Sequence, residues 1–504
     1  MSNLVGIDLG TTYSGISRLN ENGMPVIIHN SDGQNITPSV VSFIDEKTSD
    51  ISETAENNLF EDENTFGRFK RHMGSKKTYK AFGIKHTPTS LSALVLKKLK
   101  EDAEKSIGKI DKAVITIPAN FANDAREATM QAAEMAGLNV ENIINEPTAA
   151  ALYYAYSSGN ELSGTFAVYD LGGGTFDVSI IKVNGSDIEV IATEGVQELG
   201  GHDFDNKIVE MVKKKFKEET GDDLEDDVFN CTTAESLKRD LSKRDKVRTG
   251  RLSSGKSNAR IEITRSEFED SISTLIANAE MLCEGAIDEA GVTKDQISQV
   301  ILAGGSTRIP LITESVKKVF GKDPVTFANP DEAVALGAAL YVAYKANPNE
   351  LTPLQKKSIE KVNISDITSK FFGTLALVNN ESLNAQETQN SIIINKGEKI
   401  PCSKTKSYYT THANQTAVAC TVTESRTEET DPDFVEVKLN ESLKLPEGRP
   451  AQQEIQVTYS YTENQTMLCS FLDIQSGTKQ DLTLSINSSE SSNSEINIDD
   501  FKVD

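Results

Sequence analysis

The chain has 504 residues, 37% of them hydrophobic, and a formal net charge of −24. That length exceeds what one core usually supports, so two or more domains are expected, and the acidic balance excludes a general nucleic-acid binder, which needs a basic surface. Five scattered cysteines, Cys231, Cys283, Cys402, Cys420 and Cys469, argue against a disulfide framework or a zinc site, and neither a leader-like start nor a run of 18 apolar residues occurs, so a cytoplasmic protein is expected.

The chain opens on an apolar strand run that ends Ile7-Asp8-Leu9-Gly10-Thr11-Thr12-Tyr13-Ser14. A second such run ends Val168-Tyr169-Asp170-Leu171-Gly172-Gly173-Gly174-Thr175-Phe176-Asp177, with its aspartate 162 positions after Asp8. Crowded phosphate oxygens want backbone N–H donors at close approach, and glycine brings the backbone near without a Cβ clash. Gly172, Gly173 and Gly174 meet that need. Thr11, Thr12 and Thr175 add hydroxyl donors, while Asp8, Asp170 and Asp177 supply the oxygens a hard, hydrated Mg²⁺ prefers. One glycine turn after a strand is usually an ordinary turn. Two with like flanks, one in each half of an α/β region, predict a nucleotide clamp.

Strands predicted at 113–117, 165–169 and 300–303 alternate with helical patterns at 90–107, 124–136 and 331–345, which makes residues 1–346 α/β sequence. The stretch 238–260 carries nine Lys or Arg against two Asp and reads as a solvated helix and loop. Just there, Glu235, Lys238, Arg239 and Ser242 fall at i, i+3, i+4 and i+7, so one helix stripe can face a purine. After Pro353 the character changes. Residues 355–361 read as a charged helix end, and 362–367 alternate apolar and polar side chains. Beyond them, short strands at 391–395, 407–411, 417–424, 454–461 and 481–486 predict an antiparallel sandwich or barrel-like module. The expected domains are therefore 1–361, a linker at 362–368, a β-module at 369–486 and a disordered polar tail at 487–504.

Ile7-Asp8-Leu9-Gly10-Thr11-Thr12-Tyr13-Ser14, then Ile143-Ile144-Asn145-Glu146-Pro147-Thr148-Ala149-Ala150-Ala151-Leu152, then Asp170 to Asp177, then Ala303-Gly304-Gly305-Ser306-Thr307-Arg308-Ile309-Pro310, occur in that order. This succession resembles the seventy-kilodalton heat-shock chaperones of the DnaK type, and the similarity runs to about residue 486. The resemblance implies an actin-like two-lobed ATPase followed by an all-β sandwich that grips extended apolar peptides. It implies ATP or ADP with Mg²⁺ held through water by Asp8 and Asp170. Its implied partners are unfolded polypeptides, a J-domain protein and a nucleotide exchange factor, with no nucleic acid and no membrane. The helical lid of relatives is expected to be absent, because only about 18 polar residues follow Ile486.

By the same resemblance, Lys70 in Phe69-Lys70-Arg71 reaches the γ-phosphate and the attacking water. Glu146 and Asp170 orient water and magnesium, and Thr175 and Asp177 complete the catalytic set. Gly10, Tyr13, Gly200, Gly201, Gly304, Gly305, Ser306, Arg308 and Asp331 join the Glu235 helix as nucleotide contacts. Pro118, Arg126 and Asp366 match the relay of nucleotide state between domains. In the β-module, Leu377 and Thr411 match an arch over the peptide, Tyr408 and Val418 its side-chain pocket, and Gly448-Arg449-Pro450 a turn that fixes the register.

Five departures from the family pattern shape further expectations. Asn363 and Ser365 interrupt a linker that is usually a continuous apolar run, so weaker interdomain coupling is expected. Asn142 and Asn120 stand where an arginine and an aromatic residue are common, so a dedicated or altered J-protein is expected. His202 replaces a usual Glu and reads as an incidental loop histidine. The rival readings are an exchange factor or scaffold that binds ATP structurally, and a small-molecule kinase on the same nucleotide fold.

Overall fold

The computed structural model describes residues 2–158, 163–184, 187–327, 329–360, 363–380, 385–462, 466–483 and 497–503. The chain divides into two compact units, one of Met1–Asn120, Ala128–Ile364 and Asn493–Asp504, the other of Phe121–Glu127 and Ser365–Ser492.

The first unit is built on two sheets of like construction. In one, Leu4–Asp8, Tyr13–Leu19 and Pro25–Ile27 form an antiparallel meander, and Lys112–Ile117 and Val140–Asn145 add in parallel on the far side of the first strand. In the other, Ser163–Leu171, Phe176–Asn184 and Asp187–Val196 form the meander, and Ile297–Ala303 and Val325–Thr326 add in parallel. Parallel strands need crossover segments that cover the sheet, which is why the first strand of each sheet is apolar on both faces, with Val5, Ile7, Ala167 and Val168 fully buried. Both Asp-Leu-Gly turns leave the same end of the same strand in its own sheet. The sequence repeat is thus a structural repeat.

Helix Ala333–Lys345 is buried almost throughout, and its small residues explain how. A Cβ on Gly337 would lie 1.8 Å from the carbonyl oxygen of Ala149, and one on Gly6 would lie 2.3 Å from the backbone of Ala338. The helix therefore rests directly on the first strand and on helix Glu146–Ser158, backbone against backbone. The larger core of the second half gathers Tyr169, Phe176, Phe204, Phe216 and Phe320 with Phe268 of helix Arg265–Glu289, whose start is fixed by a capping box between Thr264 and Glu267.

A small sheet of Val40–Phe43, Thr48–Asp50 and Thr65–Gly67 completes the first unit and receives a fourth strand, Lys502–Val503, parallel to Thr48–Asp50. The expectation of an unpacked tail over 487–504 is corrected for residues 497–503, which form a 3-10 turn at Ile498–Asp500 and this strand. The tail composition is polar, yet Ile498, Phe501 and Val503 suffice because they complete an existing sheet edge. The rest of that stretch lies outside the described residues.

The second unit is a sandwich of two antiparallel sheets. One runs Ala385–Ile394, Phe371–Asn380, Ala417–Ser425, Glu436–Lys444, and the other Cys402–Tyr409, Glu454–Tyr461, Met467–Asp473, Lys479–Thr483. Strict alternation of buried and open positions along Glu454–Tyr461 sends Ile455, Val457, Tyr459 and Tyr461 into a core shared with Phe372, Ile394, Cys420, Val422 and Leu443. All five cysteines are free. Of the predicted linker at 362–368, Asn363–Ile367 is a strand, while Val362 lies outside the described residues. Among the described residues no helix is long and apolar enough to cross a membrane.

The Tyr459 hydroxyl, buried between the two sheets, donates to the carbonyls of Gly373 at 2.8 Å and Thr421 at 3.0 Å. Tyr459→Phe strands both acceptors in the core, so the sandwich is expected to lose about 2 kcal/mol. Chemical denaturation followed by near-ultraviolet circular dichroism checks this, and an unchanged midpoint contradicts it.

Candidate functional site

Asp8 ends the first strand, where the Thr116 hydroxyl donates to its carboxylate at 2.9 Å. The following turn is fixed internally, with the Gly10 N–H donating to Ser14 Oγ at 3.1 Å and Ser39 Oγ donating to the Gly10 carbonyl at 2.8 Å. The second turn closes with the Gly172 N–H on the Thr175 carbonyl at 3.1 Å, and its own carbonyls are taken up by the Gly201 and His202 N–H groups and the Ser306 hydroxyl. A Cβ on Gly173 would lie 1.8 Å from Thr12 Oγ1, and one on Gly200 2.5 Å from the Gly174 nitrogen. The two turns press against each other at a separation only glycine permits.

They face a cavity of 590 Å³ inside the first unit. Its wall includes Asp8, Gly10, Thr11, Thr12, Tyr13, Lys70, Glu146, Asp170, Gly172, Gly173, Thr175 and Gly201, together with Glu235, Lys238, Arg239, Ser242, Gly304, Gly305, Ser306, Arg308 and Asp331. Asp177, Gly174 and Gly200 do not line it. Asp177 sits opposite Asp170 in the antiparallel pair and is 1% exposed, while Gly174 and Gly200 form the packed layer behind the loops.

Charge is concentrated at the loop end. Lys70, in the 3-10 turn Phe69–His72, is buried, and its Nζ lies 2.6 Å from Glu146 Oε1 at the start of helix Glu146–Ser158. Burial and the neighbouring Glu146, opposed by Lys70, push the Asp8 carboxyl up to about 7. Burial, with Glu146, Asp177 and Asp8 nearby, pushes Asp170 far above the carboxylate range. Crowded buried carboxylates around an ammonium want a cation, and this donor set is all oxygen, the chemistry of a hard divalent ion. Mg²⁺ with phosphate groups fits it.

The other end is organised by helix Cys231–Leu241, capped by the Asn230 side chain on the Thr233 N–H. Arg239 pairs with Glu235 at 2.7 Å, donates to the Tyr13 hydroxyl at 2.9 Å and stands 5.5 Å above the Tyr13 ring. Lys238 turns inward, 2.8 Å from the Asp205 carboxylate and 2.9 Å from the Gly201 carbonyl, so it braces the loop turn rather than standing open to a ligand. Arg308 pairs with Asp331 at 2.8 Å. The cavity thus offers carboxylates and an ammonium beside the glycine turns, and a guanidinium over an aromatic ring beside helix Cys231–Leu241.

Sequence reasoning missed Arg68 and Asp205 on this wall and read His202 as incidental, although it lines the cavity. Arg68 takes a left-handed backbone at φ 59°, which no local pattern announces. Asp205 had a usable signal in Lys238, since a buried lysine demands a carboxylate. Burial, reinforced by Arg68, Arg71 and Lys238, pushes the His202 imidazole down to about 3.

Elsewhere, Pro118 is buried where strand Lys112–Ile117 ends, in the first unit. In the second unit Arg126 is buried, donating from Nε to the Phe121 carbonyl at 3.0 Å and reaching Ser369 Oγ at 3.5 Å, while Asp366 pairs with Ile400. Tyr408 and Val418 both pack at the edge of the sandwich core, the Tyr408 hydroxyl meeting Ser391 Oγ at 2.9 Å. Leu377 is 53% exposed on one sheet, and Thr411 follows a strand of the other. A family model described as Hsp70 protein matches residues 4–82 and 77–502, which takes in both units.

Proposed function

The chain belongs to the Hsp70 family, and from that premise we propose that its first unit hydrolyses ATP while its second binds extended apolar segments of unfolded polypeptides. Members of the family are in general ATPases and chaperones that use ATP or ADP with Mg²⁺ and work with J-domain proteins and exchange factors. The observation that carries the proposal for this chain is the pair of interlocked glycine turns closing one end of a cavity that also holds the buried Lys70–Glu146 pair.

In this reading the N–H groups and hydroxyls of Thr11, Thr12, Gly173 and Thr175 cradle the phosphates, and Asp8 and Asp170 would hold Mg²⁺, which would supply neutralising charge to the phosphate oxygens. Lys70 stabilises the charge that develops as water attacks the γ-phosphate, and Glu146 fixes the ammonium and orients that water, so positioning and electrostatics lower the barrier without a covalent intermediate. Tyr13, Glu235, Arg239, Ser242, Ser306 and Arg308 flank the nucleoside, and Lys238 supports them by bracing Asp205 and the Gly201 turn. In the sandwich, main-chain hydrogen bonds with one apolar pocket would give recognition with little sequence demand.

Phosphate release from ATP, measured with and without a labelled apolar heptapeptide, tests the reading. Slow Mg²⁺-dependent turnover that rises with peptide is expected. Retained nucleotide without turnover would favour a scaffold, and phosphate transferred to a metabolite would favour a kinase. Peptide binding without stimulation would put the interruption at Asn363 and Ser365 to blame for lost coupling.

A further inference from the structure

We infer that the first unit carries a peptide-binding site on the edge of its small sheet, one that takes a turn followed by a short strand, of pattern Ile-x-x-Phe-x-Val, supplied here by the chain's own residues 498–503.

Strand Thr48–Asp50 would otherwise end its sheet with an open row of backbone groups, and such edges are templates for an added strand. The terminal segment adds there in parallel, with Lys502 opposite Thr48 and Val503 opposite Ser49, and the Lys502 N–H donates to the Lys47 carbonyl at 2.9 Å. Phe501 is the anchor. Its ring meets Phe43 edge-on at 6.1 Å and His86 edge-on at 5.8 Å, and Phe43 lies 4.3 Å from His86, so the pocket is aromatic on two sides. His86 is 1% exposed and burial pushes its imidazole down to about 4, which leaves this pocket uncharged at neutral pH. Lys97, from helix Pro88–Ile107, clamps the turn by donating to the carbonyls of Ile498 at 3.0 Å and Phe501 at 2.8 Å.

Recognition rests on main-chain groups and three apolar side chains, so it reads a pattern rather than one sequence. It is also small: a two-residue strand, one aromatic anchor and one clamping lysine make a weak site on their own. A covalent link raises the local concentration of the segment to about a millimolar, which keeps such a site filled in cis while leaving it exchangeable. The link here is residues 484–496, which include the run Asn487-Ser488-Ser489-Glu490-Ser491-Ser492-Asn493-Ser494.

The test uses the full chain carrying Phe501→Ala and a fluorescent peptide of residues 495–504, followed by anisotropy. The altered chain should bind the peptide at least about tenfold more tightly than the unaltered chain, whose site is already filled. A peptide that itself carries Phe501→Ala should bind neither chain, and adding Lys97→Met to the altered chain should weaken binding several-fold. A chain ending at residue 495 should behave like the Phe501→Ala chain. No binding to the altered chain at about 1 mM peptide, or equal binding to both chains, overturns the site. Loss of the folded state in both the Phe501→Ala and the shortened chain overturns exchangeability, because the segment would then be an obligate part of the fold. A sedimentation mass of two chains that reverts to one on Phe501→Ala would move the segment onto a second copy and overturn the assignment in cis.

Discussion

Lys70→Met is expected to lower ATP turnover by about 10²- to 10³-fold while the chain still retains nucleotide. The Lys70 ammonium is buried and stands 2.6 Å from Glu146, in the same wall as Asp8 and Asp170. Removing it takes away a fixed positive charge aimed where the transferring phosphoryl group gains charge, whereas the glycine turns that would hold the ground-state phosphates are untouched. The loss should therefore appear in the chemical step. The substitution also leaves Glu146 buried without its partner, so some loss of stability accompanies it. Lys70→Arg should not restore the rate, because a planar guanidinium cannot occupy the place of a compact ammonium at the same distance. Single-turnover phosphate release, beside retention of labelled ATP on the same preparation, separates the two effects. Turnover within a few-fold of the unaltered chain would remove Lys70 from the mechanism.

Gly337→Ala is the second large effect, and its sign is the informative part. Alanine in place of glycine normally favours a helix by about 1 kcal/mol. At position 337 the new methyl would lie 1.8 Å from the Ala149 carbonyl oxygen and 2.4 Å from its carbon, so two backbones must separate. Overpacking against main chain, with no flexible side chain to yield, is expected to cost about 3 kcal/mol and to move the helix that begins with Glu146. Gly285→Ala is the internal control. It lies in helix Arg265–Glu289, its Cβ would meet nothing nearer than Glu194 Cγ at 3.9 Å, and it should stabilise by about 0.5–1 kcal/mol. Urea unfolding of the full chain, followed by nucleotide retention, checks both. Equal shifts at the two positions would contradict the close approach.

What could be read from the sequence follows from where each constraint is local. The two glycine turns were legible because close approach of backbone selects glycine within a few positions, and the strands before them carry continuous apolar runs. The Glu235 helix was legible by spacing, while the contacts of the Lys238 Nζ with Asp205 and Gly201 depend on neighbours distant in sequence. Arg68 was not legible, since no local pattern announces its left-handed backbone, whereas the signal for Asp205 lay only in Lys238, a distant residue with which it pairs. The Ala333–Lys345 helix announced itself by apolar content, but that Gly337 and Gly6 mark contact surfaces depends on partners far away in the sequence. The polar tail misled for a related reason: composition measures what a segment can bury by itself, and residues 497–503 bury themselves in a surface made by others.

The assignment of Phe121–Glu127 to the second unit limits how this protein can be dissected. Lys438 holds Asp124 at 2.9 Å and Ser369 stands by Arg126, so a fragment stopped at Ile364 would keep the heptad but lose its neighbours. Such a fragment leaves Asp124 without Lys438 and Arg126 without Ser369. Swapping the heptad for Ser/Gly before excision is the cleaner cut.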